Sequence, residues 1–124
     1  MKKLTRAEEE MMHILWELGS GTVGDVRSRI EEKEGKKPPH STISTVLRIL
    51  SDKGFLTYEV YGRTHVYTPA VSKEAYSAQS LDQLVSDYFG GSTDRLVSFL
   101  VKREDLSLDE LNELIQKLED DDDA

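Results

Sequence analysis

The chain has 124 residues, of which 37% are hydrophobic, so it can form one compact domain or two small ones. Cysteine is absent, which excludes disulfides, zinc–thiolate sites and cysteine nucleophiles, and no apolar stretch is long enough for a signal peptide or a membrane span. The net charge of −8 is uneven, with 11 basic and 10 acidic side chains in residues 1–70 but 5 and 14 in residues 71–124, so the first part can still carry a face that binds nucleic acid.

Two amphipathic helices are predicted in the first third of the chain. The sequence from Thr5 to Glu8 is typical of a capping box at the start of a helix. In such a box, the threonine hydroxyl and the glutamate carboxylate each accept a hydrogen bond from the backbone amide of the other residue. Apolar residues follow at helical spacing until the glycines around Ser20. A second helix opens near Thr22, and the pair Pro38-Pro39 ends the polar segment that follows it.

A third helix and a β-hairpin are predicted next. The helix runs from about Ser41 to Gly54 and carries its apolar stripe on one side. Two β-rich runs then flank Gly62-Arg63, which predicts a hairpin with its turn at these residues. Three helices followed by a hairpin within about 70 residues is the order of a winged helix-turn-helix.

Residues 71–118 return to helical periodicity. Apolar stripes recur on both sides of Gly90-Gly91 and again after Ser107, where a second capping box is predicted. We therefore predict a mainly α protein with a small β-hairpin wing. Its expected parts are a winged-helix DNA-binding domain at 1–70, a helical dimerisation domain at 71–118 and a disordered acidic tail at 119–124.

The third helix carries the clearest functional pattern. A major groove admits one α-helix, and a helix that reads it needs an apolar side against its own domain and small or hydrogen-bonding groups outward. Short hydroxyl side chains and Arg48 occupy such an outer face, and Arg63 lies at the expected tip of the wing. The candidate DNA contacts are Ser41, Thr42, Ser44, Thr45, Arg48, Lys53 and Arg63. The alternative is an ordinary solvated helix, and Asp52 near its end counts against DNA.

The second half of the chain is predicted to form a homodimer. Three short amphipathic helices expose more apolar surface than about 50 residues can bury alone. A two-fold dimer would cover these stripes and place two reading helices roughly 34 Å apart, to match a palindromic operator. The alternative is that these helices fold back onto the winged helix of the same chain. The candidate dimerisation residues are Leu81, Val85, Tyr88, Leu111 and Ile115.

Several segments together resemble the penicillinase-repressor and methicillin-resistance-repressor family, which also includes copper-transport repressors. The motifs that carry the resemblance are Leu4-Thr5-Arg6-Ala7-Glu8, Ile14-Leu15-Trp16, Ser41-Thr42-Ile43-Ser44-Thr45-Val46-Leu47, Lys53-Gly54-Phe55-Leu56, Gly62-Arg63, Tyr67-Thr68-Pro69, Leu96-Val97-Ser98-Phe99 and Glu104-Asp105-Leu106-Ser107. The resemblance covers about residues 4–118. It implies a winged-helix repressor that binds dyad operators as a dimer. In the antibiotic-resistance branch, it also implies relief of repression by a membrane sensor with a metalloprotease domain.

The chain departs from that family pattern at three points. Ile49 occupies a position in the reading helix where the family often has a basic residue. Resistance repressors are cleaved between Asn and Phe, whereas here Ser98 precedes Phe99, which disfavours cleavage at this bond. The copper branch has a C-terminal cysteine cluster, which this chain lacks.

The sequence therefore predicts a cytoplasmic, homodimeric transcriptional repressor of double-stranded operator DNA. No cofactor or metal is expected, because the histidines His13, His40 and His65 show no ligand spacing. An enzyme is not favoured, since there is no glycine-rich phosphate loop and no histidine–carboxylate cluster beyond chance. The alternative function is a winged helix that has lost DNA binding and serves as a protein-interaction module, to which the −8 charge and Ile49 point.

Overall fold

The computed structural model describes the backbone of residues 3–122 and the side chains of residues 3–117. Over this range the elements follow in the order α1 Arg6–Leu18, α2 Val23–Glu34, α3 His40–Asp52, β1 Leu56–Tyr61, β2 Thr64–Pro69, α4 Lys73–Tyr88, α5 Thr93–Glu104 and α6 Leu108–Asp122. The predicted fold class, three helices and a hairpin followed by further helices, is confirmed. No helix within the described residues is long and apolar enough to span a membrane.

Two compact units divide the chain, one ending at Gln79 and the other beginning at Ser80. The first unit extends past the boundary predicted at residue 70, because the first turns of α4 pack on the winged helix. Tyr76 of α4 is one of the buried residues of that core. The predicted acidic tail, 119–124, lies outside the residues whose side chains are described, and the backbone of α6 is helical to Asp122. Its disorder stays a prediction.

The hydrophobic core of the first unit joins α1, α2, α3 and the hairpin. Its largest fully buried side chains are Phe55, Met12, Leu15, Leu47, Leu50 and Val26. Four of them, Leu15, Val26, Leu47 and Leu50, belong to the apolar stripes that predicted the helices. Full burial of one such side chain contributes about 1.5–3 kcal/mol. The core therefore packs both α3 and the hairpin against α1 and α2.

Capping side chains define where α1 and α2 begin. The Thr5 hydroxyl accepts from the Glu8 amide, and the Glu8 carboxylate accepts from the Thr5 amide at 2.8 Å. Thr22 and Asp25 form the same reciprocal pair at the start of α2. Both helices therefore start at the residues that the sequence predicts, because each cap involves partners only three residues apart.

The hairpin is antiparallel, with Tyr61 opposite Thr64 and Gly62-Arg63 in the turn. Gly62 has a φ of +67°, a backbone conformation that side chains with a Cβ rarely adopt, which explains the glycine at this position. A single bridge adds Gly21 to the edge, since its amide donates to the Tyr67 carbonyl at 2.9 Å and its carbonyl accepts from the Tyr67 amide at 2.8 Å. The hairpin is thereby attached to the segment between α1 and α2.

Glu8 is a buried carboxylate, with only 5% of the residue exposed, and it forms an ion pair with Lys53 at 2.8 Å. Burial raises the pKa of Glu8, but hydrogen bonds from Lys53 and Thr5 together stabilise the carboxylate more strongly, so its pKa lies below the ordinary value of 4.5. A carboxyl group whose pKa is lowered by folding stabilises the protein above its unfolded-state pKa. That stability is lost as the pH falls through the folded-state value.

Replacing Glu8 with glutamine is therefore expected to lower the free energy of unfolding at pH 7 by about 1–3 kcal/mol, because a charged hydrogen bond to Lys53 is lost. The difference between wild type and Glu8→Gln should shrink when the pH falls below 4.5. Urea denaturation of both proteins at pH 7 and at acidic pH measures the difference in free energy of unfolding and its change with pH. Glu10→Gln is the control, since Glu10 is exposed and pairs with the exposed Arg6. A difference that persists unchanged into acid would contradict the role of the ion pair.

The second unit contains the remainder of α4 together with α5 and α6. Phe89 packs edge-on against Phe99, with ring centroids 5.4 Å apart, and Val85 is buried. Many of its apolar side chains remain exposed: Leu81 49%, Leu84 42%, Tyr88 76%, Val97 40%, Phe99 47%, Leu100 44%, Leu108 74%, Leu114 47% and Ile115 46%. Of the predicted dimerisation residues, Leu81, Tyr88 and Ile115 are thus exposed, whereas Leu111 is half-buried.

Candidate nucleic-acid interface

A groove of about 590 Å³ separates α3 from the hairpin in the first unit. Its lining comes from the start of α2, one face of α3 and the inner face of the hairpin. The residues are Thr22, Val23, Gly24, His40, Ser44, Arg48, Ser51, Asp52, Tyr58, Arg63, Thr64, His65 and Tyr67. Two arginines stand in this groove against one carboxylate, so its formal charge is positive although the total charge of the chain is negative.

Helix α3 presents its inner face to the core and a polar face to the groove. Ile43, Leu47 and Leu50 are buried, which fixes the rotation of the helix about its axis. Ser44 and Arg48, four residues apart, consequently line the groove. The Arg48 side chain is exposed, so its guanidinium is accessible to an anionic ligand.

The start of α3 is held by the chain around it rather than by a capping side chain. Pro39 is the N-cap residue and makes no side-chain cap hydrogen bond. Arg27 of α2 donates from Nε to the carbonyl of Pro38 at 2.8 Å and so attaches the preceding loop to α2. The first amides of α3 therefore lack a capping side chain, and such amides favour an anion at a helix N-terminus.

The inner face of the hairpin forms an aromatic wall of the groove. The side chains of Tyr58, His65 and Tyr67 pack together, with ring centroids 4.9 Å apart for Tyr58 and His65 and 5.9 Å for the two tyrosines. Burial raises the pKa of Tyr67, an effect that the nearby positive charge of Arg48 partly opposes. Arg48 and the wall thus influence each other electrostatically across the groove.

Tyr58 and His65 are not among the DNA contacts that the sequence predicts, whereas both line the groove. The register of the hairpin contains the signal that would have found them. Tyr58 lies opposite Tyr67 and Val60 opposite His65, on the same face as the buried Leu56. Alternation from Leu56 therefore directs Tyr58 toward the groove, and cross-strand pairing brings His65 beside it.

The predicted DNA contacts divide into separate groups. Ser44, Arg48 and Arg63 meet in the groove. Ser41 and Thr45 are exposed on the adjoining stripe of α3, where the Thr45 hydroxyl donates to the Ser41 carbonyl at 2.8 Å.

Thr42 lies elsewhere, in a second cleft of about 420 Å³ that α1 and α2 also line. Because 42 and 44 are two residues apart on a helix, their side chains point in different directions. The seven predicted residues are therefore not one patch.

Lys53 has a different position from the one that the sequence suggested. Its ammonium group donates to both carboxylate oxygens of Glu8 at 2.8 Å, and its side chain is only 24% exposed. Engaged in this way, it stabilises the packing of the end of α3 on α1. The partner of this ion pair lies 45 residues away in the sequence, and the contact of Lys53 with DNA stays a prediction.

No cluster of histidine, cysteine or acidic side chains within the described residues is arranged to hold a metal ion. The groove instead presents cationic and hydroxyl groups on a helix beside a hairpin. Three helices, a hairpin and this basic groove define a winged-helix DNA-binding protein.

Comparison with known proteins identifies the family. The profile of the penicillinase repressor family matches residues 4–120. The penicillinase repressor of Bacillus licheniformis is 30% identical over 123 residues, covering 97% of this chain and 94% of that protein. The methicillin resistance regulatory protein MecI of Staphylococcus aureus is 26% identical over 112 residues, covering 90% and 89%.

Two solved structures are similar to this chain. The solution structure of the DNA-binding domain of the repressor BlaI is 32% identical, with a TM-score of 0.50, and covers 61% of this chain and 94% of that one. RosR of H. salinarum, at 21% identity and a TM-score of 0.53 over 84% of this chain and 94% of that one, shares the fold. The chain belongs to the penicillinase repressor family, whose members are DNA-binding transcriptional repressors and not enzymes. It is accordingly a transcriptional repressor.

Proposed function

We propose that this repressor binds palindromic operator DNA as a homodimer, with α3 of each copy in the major groove. The observation that carries the proposal is the groove between α3 and the hairpin, where Arg48 and Arg63 lie on opposite sides. A reading helix beside a wing contacts base edges with the helix and the neighbouring backbone with the wing.

Four of the candidate contacts have a role in this arrangement. Arg48 is the base-reading or phosphate-binding side chain, because its guanidinium can bond bidentately to a guanine edge or to a phosphate. Ser41 and Thr45 lie on the first turns of α3, near the uncapped amides, where phosphate and base edges are in reach. Arg63 at the wing tip contacts the adjacent sugar–phosphate backbone, a contact that positions the protein without reading sequence.

The second unit supplies the dimer in this proposal. Leu81, Leu84 and Tyr88 recur at steps of three and four on α4, and all three are exposed. Exposure of such an apolar stripe to water is unfavourable. In a two-fold dimer, the same stripe of the second copy would cover it. Leu111 and Ile115 follow the same spacing on α6 and are included among the dimerisation residues, while Val85 is buried within the unit itself.

Relief of repression by a membrane sensor metalloprotease is a further part of the proposal. Ser98 and Phe99 lie in α5 and both residues are exposed, although Ser98 differs from the family's cleavage residue. Inspection of the neighbouring genes for a membrane metalloprotease, followed by its coexpression with the repressor, tests this part. A repressor that stays intact under inducing conditions would assign relief to another mechanism.

Selection of bound DNA from a random pool at physiological salt tests the proposal as a whole. We expect a two-fold symmetric consensus with half-site centres about 10 base pairs apart. Binding should also weaken steeply as salt increases, because phosphates neutralised by arginine release counterions. A pool without any consensus would favour the protein-interaction alternative, to which the −8 charge and the exposed Ile49 point.

A further inference from the structure

Tyr76, in the first turns of α4, is anchored to the winged helix by three contacts. Its hydroxyl donates to the Glu9 carboxylate of α1 at 3.0 Å. Its ring meets Phe55 edge-on, with centroids 5.8 Å apart, and lies 6.0 Å from the ring of Trp16. Only 9% of the residue is exposed. Tyr76 is therefore held in a socket formed by α1 and the residue before β1.

The segment that leads from the hairpin into α4 is fastened at the same place. The indole Nε1 of Trp16 donates to the Val71 carbonyl at 2.9 Å, and the Ala70 amide donates to the Phe55 carbonyl at 2.8 Å. The Ser72 hydroxyl accepts from the Ala75 amide at 3.0 Å and starts the helix. Phe55 and Trp16 thus contact both the connecting segment and Tyr76, so the start of α4 has little freedom to pivot.

Helix α4 is continuous from Lys73 to Tyr88, and the division between the two compact units falls within it, after Gln79. A continuous α-helix keeps its backbone hydrogen bonds in register and does not bend sharply without a cause such as proline, which α4 lacks. The contacts of its first turns therefore hold the start of α4 on the winged helix, and Tyr76 is the residue of α4 that is buried in that core.

We propose that Tyr76 is a positioning residue that determines which spacing between operator half-sites the dimer accepts. The inference rests on the proposed function, since it needs a dimer that binds two half-sites. One additional base pair between half-sites rotates one of them by about 34–36° about the DNA axis, because a turn holds 10–10.5 base pairs. We expect a dimer with a firmly anchored α4 to bind poorly to an operator with such a rotated half-site. A dimer in which α4 is loosened should accept it.

The experiment uses the full chain and a library in which two selected half-sites are separated by spacers of varying length. Wild type is expected to enrich one spacer strongly. Tyr76→Ala should bind a broader range, with the enrichment of the best spacer over its neighbours falling several-fold while the half-site sequence stays the same. Tyr76→Phe keeps both ring contacts and should restore the narrow profile. Ser77→Ala changes an exposed neighbour on the same helix and is the matched control.

Tyr76→Leu is measured alongside Tyr76→Ala. It keeps an apolar side chain in the socket, so it can replace Tyr76→Ala if that variant fails to fold. The temperature of thermal unfolding and the affinity for a single half-site identify a variant with a damaged winged helix. If Tyr76 had a merely structural role, its replacement would lower this temperature and this affinity without changing the spacer profile. If wild type selects one spacer and Tyr76→Ala and Tyr76→Leu select it as sharply, the inference is overturned while the proposed function stands. If wild type selects no paired half-sites, the proposed function fails and the inference fails with it.

Discussion

Arg48→Ala is expected to weaken operator binding by about 1–3 kcal/mol for each half-site if the guanidinium reads a base. A two-fold dimer contains the residue twice, so the loss for the whole operator should be about twice that of one half-site, provided the two sites act independently. Arg48 lines the groove with an exposed side chain, and its replacement leaves the buried face of α3 unchanged. The fold should therefore remain stable while binding falls.

The pattern of the loss distinguishes the two roles of Arg48. A base-reading arginine relaxes the preference at one operator position, whereas a phosphate contact weakens all sequences evenly and lowers the salt dependence. Arg63→Ala, at the wing tip, is expected to show the even pattern. Arg103→Ala removes another positive, exposed side chain, in the second unit, and serves as the control. Unchanged binding of Arg48→Ala across the operator library would remove Arg48 from the interface.

Leu81→Glu is expected to give monomers and to lower affinity for the paired operator by roughly 10²–10⁴-fold, the range by which linking two binding modules commonly raises affinity. Leu81 is 49% exposed, so a glutamate there is tolerated by the single chain. In the proposed dimer the same carboxylate would be buried without a partner, which is strongly unfavourable. Leu111 is a poorer choice, because it is half-buried and a charge there would perturb the unit itself.

Light scattering and affinity for paired and single half-sites measure the effect of Leu81→Glu. Affinity for a single half-site should be unchanged, since the groove is untouched. Gln83→Lys places a charge on the polar side of α4, where the side chain at 83 reaches the Asp87 carboxylate at 2.8 Å, and should remain dimeric. A Leu81→Glu protein that stays dimeric at the wild-type concentration would exclude this stripe from the dimer contact.

The order of the elements follows from local chemistry. Capping at Thr5 and Thr22 joins groups three residues apart, and Gly62 meets the positive φ that its turn requires. The apolar period of α3 also determines that Arg48 faces away from Leu47 and Leu50. Such features depend on neighbours within about one turn, so they can be predicted from the sequence, as can the family that combines them.

The sequence by itself thus determined the winged-helix order, the capped starts of α1 and α2 and the polar face of α3 that includes Arg48. Only the tertiary structure decided that Lys53 pairs with Glu8, that Tyr58 and His65 line the groove, and that Tyr76 anchors α4 on the winged helix. These partners are separated by 45 residues for Lys53 and by 67 for Tyr76 and Glu9. Contacts across such distances depend on how whole elements pack, which neither helical period nor capping encodes.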